Sequence, residues 1–315
     1  MTNTLDLLSQ FEDEITTSNR LPYLQIQNPP NMSLAQIEKF GAPFGWFLPA
    51  EQAELAEFQA TEYYQPIRIT FGEDSTQPRE VDGFLTTKVR LCILHRSDIE
   101  VQSRATNGWR YLGQAYQYGE RTTHGDLAFS DRDNYRLRTR YLILLLDENN
   151  QPLHQIPFKI GMNAGVGTAF SQEVRSFRRE IEEVFFKSMN RPVKALTNRA
   201  HALTVLNLQF DVHKSEGKSP FICPSVRFAP AVENIAAETV VARRDWKVTL
   251  VNQTIESLLI SKTSETGKFI LSLWSEHEDF ATKYQNDVAD APQAEEQETE
   301  LTESELVDST FEPIF

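Results

Sequence analysis

Tyr135-Arg-Leu-Arg-Thr-Arg-Tyr-Leu-Ile-Leu-Leu-Leu146 sets how the rest of the chain is read. The stretch favours extended backbone, and along a strand successive side chains point to opposite faces, so Arg136, Arg138 and Arg140 fall together on one side. The same period of two recurs nearby. Ile67, Ile69 and Phe71 alternate against Arg68 and Thr70, and Leu85, Val89, Leu91 and Ile93 alternate against Phe84, Thr86, Lys88 and Arg90. The aromatic run Trp109 to Tyr118 places Arg110, Tyr116 and Tyr118 on one side, and Leu153 to Ile160 completes a set of five strands.

Outward from these strands the chain has a simple organisation. Residues 1–18 read as an acidic arm. Residues 20–49, with Tyr23, Phe40, Phe44, Trp46 and Phe47, read as an irregular segment held by its rings. A short helix is expected over 50–60 and a longer one over 171–189, where Val174, Phe177, Ile181, Val184 and Phe185 share a face behind the N-cap Ser171. Strands follow at 202–212 and 221–228, and helices at 246–260 and 269–284. The expected fold class is α+β: a single domain over 19–285 with an antiparallel, β-barrel-like core, a packed helix and C-terminal helices. A five-strand barrel of this kind would resemble an OB-fold. The usual barrel has a helix between its third and fourth strands, where here only the polar stretch Gly119 to Asn134 is available.

The net charge of −14 is unevenly spread. Residues 286–315 carry ten carboxylates and no Lys or Arg, and Asp6, Glu12, Asp13 and Glu14 add four more, which leaves residues 19–285 balanced. A neutral body can still present a basic face, so a pI near 5.0 is no argument against nucleic acid as a ligand. Cys92 and Cys223 lie in apolar runs with no CxxC pairing and read as buried small hydrophobes in a reducing cytoplasm. No apolar run is long enough to span a bilayer.

Paired in one curved sheet, these strands would present Arg68, Lys88, Arg90, Arg110, Arg136, Arg138 and Arg140 with Tyr116 and Tyr118 among them. Cations along the phosphates and rings under the bases are what a single strand of nucleic acid needs, with stacking worth about 1–3 kcal/mol per base. RNA would satisfy the same contacts as DNA. In the polar stretch, Asp126, Asp131 and Asp133 leave open a plain loop, an arm closing over DNA, or a metal-dependent nuclease site. Gly161, Gly165 and Gly167 lack the spacing of a P-loop or dinucleotide fingerprint and read as a flexible connector before a helix. The six histidines show no HxxxH or HExxH spacing, and no catalytic Ser, Cys or kinase signature is present. No cofactor is therefore expected and, beyond the nuclease reading of Asp126, Asp131 and Asp133, nothing supports a metal or an enzymatic activity.

The chain ends Phe311-Glu312-Pro313-Ile314-Phe315 after its acidic run. A segment this acidic and polar is expected to be disordered, because it cannot bury enough apolar surface to offset its ordering entropy. This tail resembles the acidic, partner-recruiting tip of bacterial and phage single-stranded-DNA-binding proteins, with Pro and Ile exchanged. The resemblance implies that Glu312, Pro313, Ile314 and Phe315 engage replication or repair proteins. The body resembles an uncharacterised cyanobacterial family, which implies no chemistry. The expected function is a non-enzymatic, cytoplasmic single-stranded-DNA-binding protein of a mobile element. The alternative is an interaction or scaffold protein whose tail serves only solubility.

Overall fold

The computed structural model describes residues 21–71, 78–105, 108–214, 219–227 and 258–282. In chain order these form β1 (Tyr23–Gln27), α1 (Leu34–Phe40), β2 (Gly45–Pro49), α2 (Ala50–Leu55), β3 (Gln65–Phe71), β4 (Arg79–Thr86), β5 (Lys88–Arg96), β6 (Glu100–Ala105) and β7 (Gly108–Gln114). There follow β8 (Tyr116–Gln117), β9 (Glu120–Arg121), α3 (Thr123–Ser130), β10 (Tyr135–Leu145), β11 (Phe158–Asn163), α4 (Ala164–Ser188), α5 (Asn198–His201), β12 (Leu206–His213), β13 (Phe221–Val226) and α6 (Glu265–Glu276). The arm over 1–18 and the tail over 286–315 lie outside the described residues, as does most of the helix expected at 246–260.

β10 is the spine. Its C-terminal half pairs with β5, its N-terminal half with β6, and β11 runs along its other edge. The full order is β13-β12-β5-β10-β11-β1-β2-β4-β3, with β6 and β7 branching from β10. The β1–β11 pair is parallel and the other described pairs are antiparallel. The protein is therefore α+β with a large, mostly antiparallel sheet. Among the described strands no ladder joins β3 to β13, so the barrel closure expected from sequence is not seen. The two outer strands each contain a proline, Pro66 in β3 and Pro224 in β13.

Both faces of the sheet are covered, which explains the uninterrupted apolar half of β10. Tyr141, Ile143 and Leu145 enter one core with Phe170, Val174, Phe177 and Ile181 of α4. Leu142, Leu144 and Leu146 enter a second core on the other face, with Ile270 and Leu273 of α6 and Phe280. Each such buried side chain contributes about 1.5–3 kcal/mol before the entropy of ordering is set against it. The N-terminal half of β10 sends Tyr135 and Leu137 into a third, smaller cluster with Val101, Ala115 and Ala128, roofed by α3.

The structure corrects several element boundaries. The run Phe84 to Ile93 is two strands. Thr86 Oγ1 accepts from the Lys88 amide (3.1 Å) and donates to the Lys88 carbonyl (2.7 Å), pinning a bend that sends β4 to β2 and β3 but β5 to β10 and β12. The bend resets the alternation, so Phe84, read as outward, packs on the main core. Trp109 to Tyr118 breaks in the same way at the buried Ala115. The segment 20–49 contains β1 and the wholly buried β2, and Gly119 to Asn134 holds the β8–β9 turn and α3. Leu153 precedes the last strand of the set, which runs over Phe158–Asn163.

α4 begins directly after β11, so Gly161, Gly165 and Gly167 are not a flexible connector. A Cβ at Gly161 would lie 2.2 Å from Arg138 Nη2, and one at Gly167 would lie 2.8 Å from the Met162 carbonyl oxygen. These glycines permit close packing. At its far end α4 stops in a Schellman turn. Asn190 takes a left-handed φ of 51°, its amide donates to the Lys187 carbonyl, and the Arg191 amide donates to the Phe186 carbonyl before Pro192 ends the path.

Candidate nucleic-acid interface

The residues singled out from sequence do not form one continuous surface. Arg68 sits on the outer strand β3, facing Asp82 across the ladder, with Nε 2.7 Å from Asp82 Oδ1 and Glu80 at 3.5 Å. The paired carboxylate holds the Arg68 guanidinium above, and Asp82 below, its ordinary range. Arg90 is buried. Its Nε donates to the Asp147 carbonyl (2.8 Å) and its Nη2 to Asn150 Oδ1, so it clamps the turn after β10, and burial pushes its pKa down. Lys88, one register step away, lies over the Tyr63 ring.

The three arginines of β10 do share one face, and that face behaves differently along its length. Arg140 donates from Nε to Glu100 Oε2 at 3.0 Å, with both side chains nearly sealed from water. Arg138 is buried against Gly161. Arg136 is partly exposed, donates from Nε to Gln102 Oε1 (2.9 Å), and lays its guanidinium 4.4 Å over the Trp109 ring. Read as phosphate contacts, Arg90, Arg138 and Arg140 are corrected to interior groups. An interior guanidinium must keep its hydrogen bonds inside the protein, and water has little access to it.

Arg110, Tyr116 and Tyr118 do not lie along one strand. β7 ends at Gln114, Tyr116 packs on the α3 cluster, and Tyr118 stands 97% exposed at the tip of a two-residue turn, with Tyr118 and Gly119 both at positive φ. Arg110 pairs across from Ser103, which pairs with Tyr135, so it lies on the α3 side of the ladder. The opposite side carries residues that the sequence reading passed over. Arg104 pairs with Trp109, Gln102 with Tyr111, and Arg136 with Gln102. Directly paired residues point the same way, so Arg104, Trp109, Tyr111 and Arg136 form one platform of two rings and two guanidinium groups. The signal was present in the alternation of β7, whose odd positions carry its rings. β6 went unrecognised, and without it the platform could not be assembled.

A family model described as a domain of unknown function (DUF5895) matches residues 18–264. The chain belongs to this family. No characterised protein and no solved structure matches it.

The remaining chemistry of the DUF5895 chain is structural where it is described. Asp126 lies 3.7 Å from Arg121, and Asp131 accepts from the amide and side chain of Asn134, so these carboxylates serve as local partners of α3 and the turn after it. Among the described residues no three His, Cys, Asp or Glu groups are placed to hold a metal ion. Cys92 and Cys223 are buried thiols that form no disulfide, and burial raises the Cys92 thiol to about 12. His154 is enclosed, with Nδ1 2.7 Å from the Ile156 carbonyl and Nε2 accepting from the Leu145 amide at 2.8 Å. Burial pulls its pKa to about 3. Arg227, at the end of β13, reaches Glu173 and Glu180 on α4 and lies 5.4 Å from the Phe177 ring, tying sheet to helix. Among the described residues no helix is long and apolar enough to cross a membrane.

Proposed function

We propose that the DUF5895 chain binds single-stranded nucleic acid on the platform of Arg104, Trp109, Tyr111 and Arg136. The observation that carries this reading is the Arg136 guanidinium resting 4.4 Å over the Trp109 ring beside a second ring and a second arginine. Trp109 and Tyr111 offer faces to bases, while Arg104 and Arg136 neutralise phosphates. Affinity would be tolerant of sequence and sensitive to salt. Binding is passive, by holding the strand open, and DNA and RNA would satisfy the contacts equally. The acidic tip, Glu312 to Phe315, would recruit replication or repair proteins in a cytoplasmic setting.

The deciding experiment is fluorescence anisotropy with labelled single- and double-stranded oligonucleotides across a salt series. Preference for the single strand, with affinity falling as salt rises, supports the reading. Negligible affinity for both at low salt removes it. A second reading, an interaction protein without nucleic-acid affinity, is favoured by the internal engagement of Arg68, Arg90 and Arg140. It predicts that second outcome.

A further inference from the structure

The last core residue of α4 is Ile181, yet the helix continues to Ser188. Beyond Ile181 the chain exposes Val184 (37%), Met189 (38%) and Val193 (49%), while Phe185 and Phe186 stay partly exposed with ring centroids 5.3 Å apart. Single apolar residues on a surface need no explanation. Five in ten residues on one projecting end form a patch that ordinarily marks an interaction site. Its rim is basic. Exposed Lys187, Arg191, Lys194 and Arg199 fall within the same stretch or just after it. Of the carboxylates there, Glu183 is paired with Lys187, and Glu182 already accepts from the Leu196 amide and from His201.

We infer that this end of α4 docks the chain's own acidic segment, residues 286–315, taking Phe311, Ile314 and Phe315 onto the apolar patch and the carboxylates onto its rim. The complementarity is twofold. The segment combines ten carboxylates and no basic residue with apolar side chains at 311, 314 and 315, and the patch is apolar with a basic border. Reach is ample. Residues 283–315 have a contour length on the order of 100 Å, against a domain diameter of roughly 45 Å. Tethering also sets an effective concentration in the millimolar range, so a weak contact would be populated. The inference is independent of nucleic-acid binding.

The test uses the full chain carrying Phe311→p-benzoylphenylalanine, irradiated and mapped by mass spectrometry. Crosslinks should concentrate on residues 184–194 within the same chain. Their yield should fall about threefold or more at about 0.5 M salt, where charge attraction is screened to a few ångströms. Met189→Glu with Val193→Glu should produce a similar loss, whereas Leu34→Glu with Phe40→Glu, at exposed apolar sites elsewhere, should not. Crosslinks scattered over the surface overturn the inference. So do crosslinks joining two isotopically distinct chains, or an unchanged yield in the double variant. If the double variant fails to fold, the crosslink map of the otherwise native chain decides alone.

Discussion

Glu100 Oε2 receives the Arg140 Nε hydrogen bond at 3.0 Å, deep under the N-terminal half of β10. An ion pair so placed is a poor phosphate site, because its charge is already spent and solvent is excluded from it. Arg140→Ala should therefore act on stability rather than on ligand affinity. Stranding the Glu100 carboxylate costs about 3–5 kcal/mol. Chemical denaturation should show that loss, while the salt slope of oligonucleotide binding should stay unchanged in whatever fraction remains folded.

The platform behaves oppositely. Trp109→Ala should weaken single-strand binding by about 1–3 kcal/mol with little change in salt slope, since stacking releases no counterions. Arg104→Ala should lower the slope by about one unit. Anisotropy titrations at several salt concentrations separate the two effects. Equal affinities for all variants would assign the interface elsewhere.

His154 gives the fold an acid-sensitive point. Its folded pKa, near 3 through burial, lies below the roughly 6.5 of an exposed histidine. The unfolded chain therefore binds a proton that the folded chain does not. The stabilising contribution is complete above about pH 6.5 and is lost as pH falls from there toward 3, at up to about 1.4 kcal/mol per pH unit. Burial also lowers His201, which adds in the same direction. Urea midpoints measured between neutral and acid pH should fall more steeply for the native protein than for His154→Gln.

Gly161→Ala should destabilise the domain by about 1–3 kcal/mol, because the added Cβ meets the buried Arg138 guanidinium and overpacks the β10–β11 ladder. For a domain of this size that is a fall of several degrees in Tm, readable by scanning calorimetry. An unchanged Tm would mean that Arg138 swings aside at no cost.

Local alternation was enough to read the arginine face of β10, the apolar face of the long helix and the final helix near Leu273. The long helix, however, starts at Ala164 behind Asn163, and Ser171, expected as its N-cap, lies inside it with its hydroxyl 2.8 Å from the Tyr141 hydroxyl. Alternation failed wherever a tertiary contact reset the count. The Thr86 bend and the buried Ala115 each divide one apparent strand, so Phe84, counted as outward before the bend, packs on the main core, while Val89, Leu91 and Ile93 beyond it keep their inward face. Trp109 and Tyr111 stand out only once β6 is paired with β7, which alternation within Trp109 to Tyr118 does not reveal. Charge carries the same ambiguity. Arg136 and Arg140 are equivalent in the sequence pattern, and only the partner strand β6, bringing Gln102 to one and Glu100 to the other, separates a partly exposed cation from an interior one.

The outer strand β3 bears on behaviour in a crowded solution. An open sheet presents unsatisfied backbone at each margin, and a flat margin is a template for templated growth into fibres. Here the exposed Pro66 removes a donor from β3, and Arg68, Glu80 and Asp82 place alternating charge beside it, whereas β13 has its Pro224 buried and its Ile222 amide donating to Asn28 Oδ1 (3.0 Å). Substituting Pro66 by valine would restore that donor. Light scattering at high protein concentration should then report self-association that the native chain resists.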